Sequence, residues 1–329
     1  MTDVPAPIRS HLRTLQPEWQ AWLEWLPGAR EAAVERWGLT LGPVVSQSVG
    51  SAVYHVTRRG RPAVLKLVTP GEFFDQQVAT MTAAKGRGYA HVYESDLPGG
   101  AVLMERLGRS LDEEWRAEFG NVPGEVLLGS VPVEPHLHER TQTLIEAWKV
   151  PLSVAPEVDA ESHKAAQLGR LVESLHASLG LDDVDAVVQR ALLFAEQRLQ
   201  ARQPDRQVVC HGDPHEGNLL RVLSPRPGAP ADAVWVDPDG FRCEPDYDLG
   251  VAVRNANKFV LASDDPVVML RGWCARLADQ TGTDAEAIWQ WGFLERVSTG
   301  LYLLDRGLVD RGRRYLQAAR WLISRRSFG

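Results

Sequence analysis

Residues 208–218 read VVCHGDPHEGN, a short apolar run followed by turn-forming and polar residues. The run leads into a carboxylate, Asp213, and an amide side chain, Asn218, follows five residues later. The next apolar run, VWV at 234–236, ends at a second carboxylate, Asp237, which lies 19 residues after Asn218. One carboxylate to orient a hydroxyl, with an amide and a second carboxylate to hold Mg²⁺, are the parts of a phosphoryl-transfer site. The order and spacing therefore predict a phosphotransferase.

A lysine in an earlier apolar run supports this interpretation. Lys66 lies within AVLKLV at residues 63–68, a run that predicts a β-strand. Kinases place a lysine on such a strand, where it contacts the α- and β-phosphates of the nucleotide. The alternative is an exposed lysine on an edge strand. The ordered set of downstream polar residues favours the functional interpretation.

The hydrophobic pattern divides the chain into three parts. Residues 1–37 predict a helical extension, and residues 38–108 predict a small sheet with one inserted helix. Residues 109–329 read as mostly helical and contain the motif described above. Within them, residues 115–158 hold five prolines and are interpreted as an insertion. The sequence thus predicts two lobes, the first for the nucleotide and the second for catalysis and the acceptor.

Composition and charge exclude several classes of protein. The 329 residues are 44% hydrophobic and 24% charged, which is typical of a globular chain. No apolar run is long enough to cross a membrane, so we expect a cytoplasmic protein without a membrane partner. The net charge is −7, and residues 109–305 carry 18 basic and 32 acidic residues, a net of −14. That sign argues against a nucleic-acid partner and fits a cationic substrate.

Other catalytic classes fit the motifs less well. The pattern of His211, Asp213 and His215 also occurs among metal ligands of phosphoesterases, but that chemistry needs a later Asn-His segment. No asparagine follows Asn257, so the set is incomplete. A Walker-type nucleotidase is excluded because no G-x-x-x-x-G-K-[ST] motif occurs.

The segments around these residues resemble the aminoglycoside phosphotransferases, which share the protein-kinase-like fold. The likeness is carried by WLEWLP at 22–27, LMERL at 103–107, HGDPHEGN at 211–218, VDP at 236–238 and EPDYDL at 244–249. The resemblance implies a bilobal α+β fold, with a small antiparallel β-sheet in the N-lobe and a mainly helical C-lobe. It also implies an ATP-dependent (or GTP-dependent) O-phosphotransferase that uses Mg²⁺.

The resemblance assigns roles position by position. Asp213 matches the catalytic aspartate, Asn218 and Asp237 match the Mg²⁺ ligands, and Lys66 matches the lysine that contacts phosphate. Asp248 matches a structural acid that braces the catalytic loop. The other nucleotide contacts that it implies, in the loop over the phosphates and the hinge at the adenine, are Ser48, Gly50, Ser51, Glu105 and Leu107. The partner of Lys66 is left open among Glu72, Asp75 and Gln77.

The acceptor implied by the resemblance is an aminoglycoside-type antibiotic similar to streptomycin, a small cationic or polyhydroxyl molecule. A cellular metabolite such as a sugar, an amino sugar or a hydroxyurea-like compound remains an alternative, as does a pseudokinase without catalysis. The polar residues predicted to contact the acceptor are His215, Glu216, Asp239, Glu244 and Glu295.

Overall fold

The computed structural model describes residues 17–48, 50–120 and 134–324. Its first lobe is a five-stranded antiparallel sheet in the order β1-β2-β3-β5-β4. Helix α1 precedes the sheet, and helix α2 is inserted between its third and fourth strands. These elements are α1 (Pro17–Trp37), β1 (Leu39–Ser48), β2 (Ser51–Arg58), β3 (Arg61–Val68), α2 (Glu72–Ala84), β4 (Val92–Asp96) and β5 (Ala101–Glu105).

Alternation along the strands gives the sheet two apolar faces. Leu65 and Leu67 of β3 belong to a core that includes Trp22 and Leu26 of α1, so α1 covers one face. Successive side chains of a strand point to opposite faces. Lys66 therefore lies on the other face, toward α2 and the helical lobe, and it is 5% exposed. The helical extension thus packs as part of the first lobe.

The second lobe is a helical layer built around two short β-ladders. Strand β6 pairs with β9, and β7 pairs with β8. Its strands are β6 (Val208–Cys210), β7 (Leu219–Arg221), β8 (Ala233–Trp235) and β9 (Phe241–Cys243). Its helices are α3 (Leu111–Phe119), α4 (Glu134–Ala147), α5 (Lys164–Leu179), α6 (Asp185–Gln200), α7 (Asp246–Arg254), α8 (Asn257–Ala262), α9 (Pro266–Thr281), α10 (Ala285–Asp305) and α11 (Val309–Ser324). Helix α10 is buried along most of its length, as expected of a helix that is apolar on all sides.

The architecture confirms the predicted α+β class with a β-rich first lobe and a helical second lobe. After the motif, helix α7 ends at Arg254 and helix α8 begins at Asn257, so two short helices follow each other there. The predicted insertion at 115–158 contains α4, while its residues 121–133, like the start of the helical extension, lie outside the described part of the chain. Within the described residues, no helix combines the length and apolar character needed to cross a membrane.

Candidate active site

The two β-ladders bring the three motif residues together. Strand β6 leads into Asp213, and a turn of 3₁₀ helix after it ends at Asn218. The Asn218 Nδ2 donates to the backbone oxygen of Asp213 over 3.1 Å, and the Asn218 backbone oxygen accepts from Val236 N over 2.9 Å. Asp237 follows directly after Val236. The loop that carries Asp213 is therefore fixed to the segment that carries Asp237.

A buried carboxylate braces this loop from behind. Both oxygens of Asp248 accept backbone bonds, from His211 N over 2.8 Å and from Gly212 N over 2.9 Å. Trp148 Nε1 donates a third bond to Asp248 over 2.8 Å. Burial raises the pKa of Asp248 to about 6, and these donors oppose that rise. The bracing role predicted for Asp248 is confirmed.

His211 is a second brace, which the sequence did not single out for this role. Its Nε2 lies 2.9 Å from the Val236 backbone oxygen, and its Nδ1 accepts from Asp213 N over 3.2 Å. Burial lowers the pKa of His211 to about 4, so the ring is neutral at pH 7. With Nδ1 accepting, the proton lies on Nε2. His211 therefore fixes the backbone of Asp213 relative to the strand before Asp237.

Gly212 directly precedes Asp213, and the structure requires a glycine there. Its φ is +93°, and a Cβ at this position would lie 2.5 Å from Asp239 Oδ2. The Asp239 carboxylate thus occupies the space next to Gly212, where it is half-buried. Burial raises the pKa of Asp239 to about 7, with Lys164 opposing the rise. Asp239 therefore lies against the catalytic loop at Gly212, and its predicted contact with the acceptor stays a prediction.

Lys66 reaches across the cleft to the second carboxylate. Its Nζ lies 2.7 Å from Asp237 Oδ1 and donates to Gln77 Oε1 of α2 over 3.0 Å. Among the three partners left open by the sequence, the contact is made by Gln77, a neutral amide. Asp237 has a φ of +59°, a left-handed conformation that is costly for a non-glycine residue and is typical of functional sites.

The residues assigned to the loop and the hinge lie at the ends of strands. Ser48 pairs with Ser51 across the tight turn between β1 and β2, where Gly50 has a φ of +89°; the Ser48 side chain lies outside the described atoms. Glu105 ends β5, and its carboxylate forms an ion pair with Arg226 and accepts from His91 N over 2.7 Å. Leu107 follows in the segment without regular secondary structure that leads to the helical lobe.

On the acceptor side, Asp213 has a cationic partner that the sequence analysis missed. Arg254 Nη2, at the end of α7, lies 2.6 Å from Asp213 Oδ1, and Arg254 Nη1 lies 3.3 Å from Glu295 Oε2. Tyr247 donates to Glu295 Oε1 over 2.5 Å. Burial raises the pKa of Asp213, but Arg254 and His215 lower it, and the net pKa is below the ordinary value. The sequence offered one signal for this contact. Tyr247 and Arg254 lie seven residues apart, which places them on the same face of a helix.

Glu216 has a cationic partner of the same kind. Arg140 of α4 forms an ion pair with Glu216 and donates to the backbone oxygens of Pro214 over 2.8 Å and Ala252 over 3.1 Å. Arg140 is 3% exposed, so the arginine is part of the interior. A cavity of about 180 Å³ opens beside this pair, and its walls include Leu111, Asp112, Trp115, Leu137, Asn255, Lys258, Phe259 and Trp273.

The other two predicted acceptor contacts differ in their surroundings. His215 Nε2 lies 3.6 Å from Asp213 Oδ2, while its Nδ1 caps the 3₁₀ turn by accepting from Gly217 N over 3.0 Å. Glu244 is buried on another side, where it accepts from Gln203 N over 2.8 Å and lies 3.5 Å from His163 Nε2. His215 thus lies next to Asp213, whereas the carboxylate of Glu244 is held by Gln203 and His163. The geometry gives no support to a substrate contact by Glu244.

Comparison with known proteins identifies similar sequences. A family model described as "Phosphotransferase enzyme family" matches residues 43–228. A streptomycin 6-kinase from Streptomyces glaucescens is 25% identical over 316 residues, which cover 93% of this chain and 92% of that protein. A hydroxyurea phosphotransferase from Kitasatospora aureofaciens is 27% identical over 334 residues, which cover 99% of this chain and 87% of the relative.

Solved structures are similar in fold. An aminoglycoside phosphotransferase in complex with AMP-PNP and hygromycin B aligns with a TM-score of 0.57 at 15% identity, over 90% of this chain and 99% of that one. An ethanolamine kinase from Plasmodium vivax aligns with a TM-score of 0.51 at 12% identity, over 85% of this chain and 82% of that one. At such identities the likeness shows the fold alone.

Proposed function

The chain belongs to the phosphotransferase enzyme family, and we propose that it transfers the γ-phosphoryl group of ATP to a hydroxyl of an aminoglycoside-type antibiotic similar to streptomycin. The family match and the two relatives identify the chain as a small-molecule kinase, that is, an O-phosphotransferase. The acceptor is the finer part of the proposal, and the streptomycin 6-kinase relative supports it.

The observation that carries the proposal is the contact between the lobes at the motif residues. Lys66 Nζ and Asp237 Oδ1 are 2.7 Å apart although they lie 171 residues apart in sequence. Asn218 is tied to the Asp213 backbone on the same side. Phosphoryl transfer depends mainly on positioning and on neutralising phosphate charge, and this arrangement supplies a cation, a carboxylate and an amide at one point.

The residues present fit a Mg²⁺-nucleotide. Asn218 uses its Nδ2 as a donor to the protein, which directs its Oδ1 elsewhere as an oxygen ligand, and Asp237 retains a carboxylate oxygen besides the one that Lys66 contacts. Hard oxygen ligands of this kind are what Mg²⁺ prefers. We propose Asn218 and Asp237 as its ligands. Bound there, the ion supplies positive charge to the phosphates.

Other residues of the chain bind the phosphates and the adenine and orient the acceptor hydroxyl. Lys66 faces the phosphates, and the turn at Gly50 with Ser48 and Ser51 covers them. Glu105 and Leu107 begin the connection between the lobes, where the backbone would meet the adenine. Asp213 orients the acceptor hydroxyl and accepts its proton late in the transfer, since its pKa is too low for early proton abstraction.

The substitution Asp213→Asn tests this assignment. Asparagine keeps the size of the side chain and removes its capacity to accept a proton, so turnover should fall on the order of 10³-fold. ATP binding, measured by calorimetry, should stay within about twofold, because Asp213 is held by the acceptor-side arginine. Asp279→Asn, at an exposed position of α9, is the matched control. Near-normal turnover of Asp213→Asn would contradict the assignment of Asp213 as the catalytic residue.

A second candidate acceptor is an uncharged hydroxylated molecule such as hydroxyurea. One relative is a hydroxyurea phosphotransferase. The specific observation that favours this candidate is that two acidic residues of the catalytic loop, Asp213 and Glu216, already have arginine partners. Turnover assays with ATP against aminoglycosides, sugars, amino sugars and hydroxyurea decide between the candidates.

A further inference from the structure

The carboxylate of Asp213 is held through one of its two oxygens. Arg254 Nη2 lies 2.6 Å from Asp213 Oδ1, the distance of a charge-assisted hydrogen bond. The other oxygen, Oδ2, lies 3.6 Å from His215 Nε2, which is longer than a hydrogen bond. The side chain of Asp213 is 41% exposed, whereas that of Arg254 is 11% exposed. Arg254 therefore lies behind the carboxylate, and Oδ2 remains for an acceptor hydroxyl.

The guanidinium of Arg254 is itself fixed on three sides. Besides the contact with the catalytic loop, its Nη1 lies 3.3 Å from Glu295 Oε2, and its Nε donates to Asn255 Oδ1 over 3.2 Å. Tyr247 donates to Glu295 over 2.5 Å. Tyr315 of α11 donates to Asn255 over 2.9 Å. Because the donors of a guanidinium lie in one rigid plane, contacts on three nitrogens fix its orientation.

Arg254 also compensates two negative charges in this part of the protein. The carboxylates of Asp213 and Glu295 contact its two terminal nitrogens. Burial lowers the pKa of Arg254, but these two carboxylates raise it, and the net pKa lies above the ordinary value. The guanidinium is therefore charged at neutral pH. Without it, the carboxylate of Asp213 would be repelled by Glu295 and could rotate about its side-chain bonds.

Helix α7 holds both the backbone and the side chain of the catalytic loop. Near its start, Asp248 accepts the backbone N–H groups of His211 and Gly212. At its last residue, Arg254 contacts the carboxylate of Asp213. The two contacts lie on either side of the peptide that carries the side chain, so α7 can fix the carboxylate relative to the loop.

Building on the proposed function, we propose that Arg254 is a positioning residue for phosphoryl transfer, which holds Asp213 so that its Oδ2 faces the acceptor hydroxyl. In that transfer the hydroxyl oxygen bonds to the γ-phosphorus, the bond from this phosphorus to the bridging oxygen breaks, ADP leaves and the hydroxyl proton passes to Oδ2. Arg254 acts through Asp213 alone. The rate depends on the alignment of the hydroxyl, so a carboxylate that is not held lowers it.

A double-substitution cycle separates positioning from a structural role. Arg254→Gln, Asp213→Asn and the variant with both changes are compared with wild type in transfer from radiolabelled ATP to streptomycin, or to hydroxyurea if wild type transfers to it faster. Arg254→Gln should lower kcat by about 10- to 100-fold, the worth of one charge-assisted hydrogen bond. The KM for ATP should stay within about twofold and the KM for the acceptor within about threefold.

The second background gives the decisive value. In Asp213→Asn, the change Arg254→Gln should lower kcat by less than about twofold, because the carboxylate that the arginine positions is already absent. Residues that act as one unit are non-additive in this way, whereas a loss of general order lowers kcat by the same factor in both backgrounds. Arg254→Lys keeps the charge without the planar set of donors and should recover only part of kcat.

Two further variants control for folding. Arg254→Gln with Glu295→Gln replaces both members of a buried pair by amides of similar size, so no unpaired charge is left in the interior. Its kcat should fall as much as that of Arg254→Gln. Arg296→Gln is the matched control, since Arg296 is a buried arginine of α10 that donates to Asn257 Oδ1 over 2.8 Å. It should lower stability in denaturant titrations and leave kcat of the folded enzyme within about twofold.

The outcomes separate the inference from the function on which it rests. An equal loss from Arg254→Gln in both backgrounds, a change in the KM for ATP in place of kcat, or a wild-type kcat in the variant that lacks both Arg254 and Glu295 overturns the inference. Each of these leaves the phosphotransferase proposal intact. Near-normal turnover of Asp213→Asn, or transfer to no acceptor of the panel by enzyme that binds ATP, contradicts the proposed function and the inference with it.

Discussion

Lys66 on one side of the cleft and Asp213 on the other are both held by partners, but the partners differ in kind. Lys66 is buried beside the neutral amide of Gln77, and it also contacts an anionic group, the proposed metal ligand Asp237. Asp213 and its neighbour in the loop are each paired with an arginine. The nucleotide side thus presents a positive charge that polyphosphate can use, while the acceptor side has its charges paired within the protein.

This difference shows why the net charge of a lobe is a poor guide to its ligand. The excess of acidic residues in the helical lobe predicts attraction for cations from a distance. At contact distance the pairing of individual groups decides which ligand binds, because a desolvated charge needs its own partner. Long-range attraction to the lobe and binding at the loop therefore depend on different groups.

The largest effect is expected on the nucleotide side. Lys66→Met keeps the packing of the buried stem and removes the charge, so turnover should fall on the order of 10² to 10³-fold for every acceptor. Because Lys66 does not contact the acceptor-side arginines, the ratio of activities on neutral and cationic acceptors should stay unchanged. Steady-state kinetics with both acceptors measure this. A loss confined to one acceptor would contradict the separation of the two sides.

A smaller effect is expected at the neutral partner of the lysine. Gln77→Ala removes one buried hydrogen bond of 3.0 Å and leaves Lys66 held by Asp237 alone. The KM for ATP should rise about fivefold, the worth of one such bond. Gln77→Glu restores an oxygen acceptor of equal length and should recover most of the affinity. An unchanged KM for ATP in Gln77→Ala would show that the amide does not position the lysine.

On the acceptor side, Tyr247→Phe is expected to act through Arg254. The substitution removes the hydroxyl that holds Glu295, which then competes more strongly with Asp213 for the guanidinium. The KM for the acceptor should change by about threefold, while the KM for ATP stays constant. The control is Tyr302→Phe, at an exposed tyrosine of α10. Equal changes in both KM values would show a general loss of order instead.

The sequence predicted those parts of the site that depend on local order. Lys66 could be assigned because it lies in an apolar run that predicts a strand and precedes the ordered set of polar residues. Asp213, Asn218 and Asp237 could be assigned because turn-forming residues separate short apolar runs there. The fold class followed from the same patterns, β-rich at first and helical afterwards. The three motif residues lie between positions 213 and 237, so their order could be read along one short stretch of sequence.

The arginines could not be assigned, since their partners are distant in sequence. Arg140 meets Glu216 across 76 residues, and Arg254 meets Asp213 across 41. Such contacts depend on how α4 and α7 pack against the loop, and periodicity gives no information about that. Arg140 also lies in the proline-containing segment that was interpreted as an insertion. The contacts of Glu244 with His163 and Gln203 N were likewise beyond the sequence, since these residues lie 81 and 41 residues before it.

The smallest effect on catalysis is expected from substitution of Glu244, because its contacts lie in the protein interior. Its carboxylate lies 3.5 Å from His163 Nε2, and both residues are buried. Burial raises the pKa of Glu244, but the His163 bond and Gln203 N–H lower it to about 2. Burial lowers the pKa of His163, but Cys243 and Glu244 raise it to about 9. Glu244→Gln should leave kcat and the KM for the acceptor unchanged.

Its effect on stability should depend on pH in a defined direction. A lowered carboxyl pKa contributes stability above the unfolded value of 4.5, which is lost as the pH falls through 2. A raised histidine pKa contributes stability below 6.5, which is lost as the pH rises through 9. The free energy of unfolding of wild type should therefore exceed that of Glu244→Gln most between pH 4.5 and 6.5, by about 3 kcal/mol. Denaturant titrations at pH 5.5 and pH 9.5 measure the difference. A difference that is equal at both pH values would contradict the linkage of Glu244 to His163. A raised KM for the acceptor would instead support Glu244 as a substrate contact.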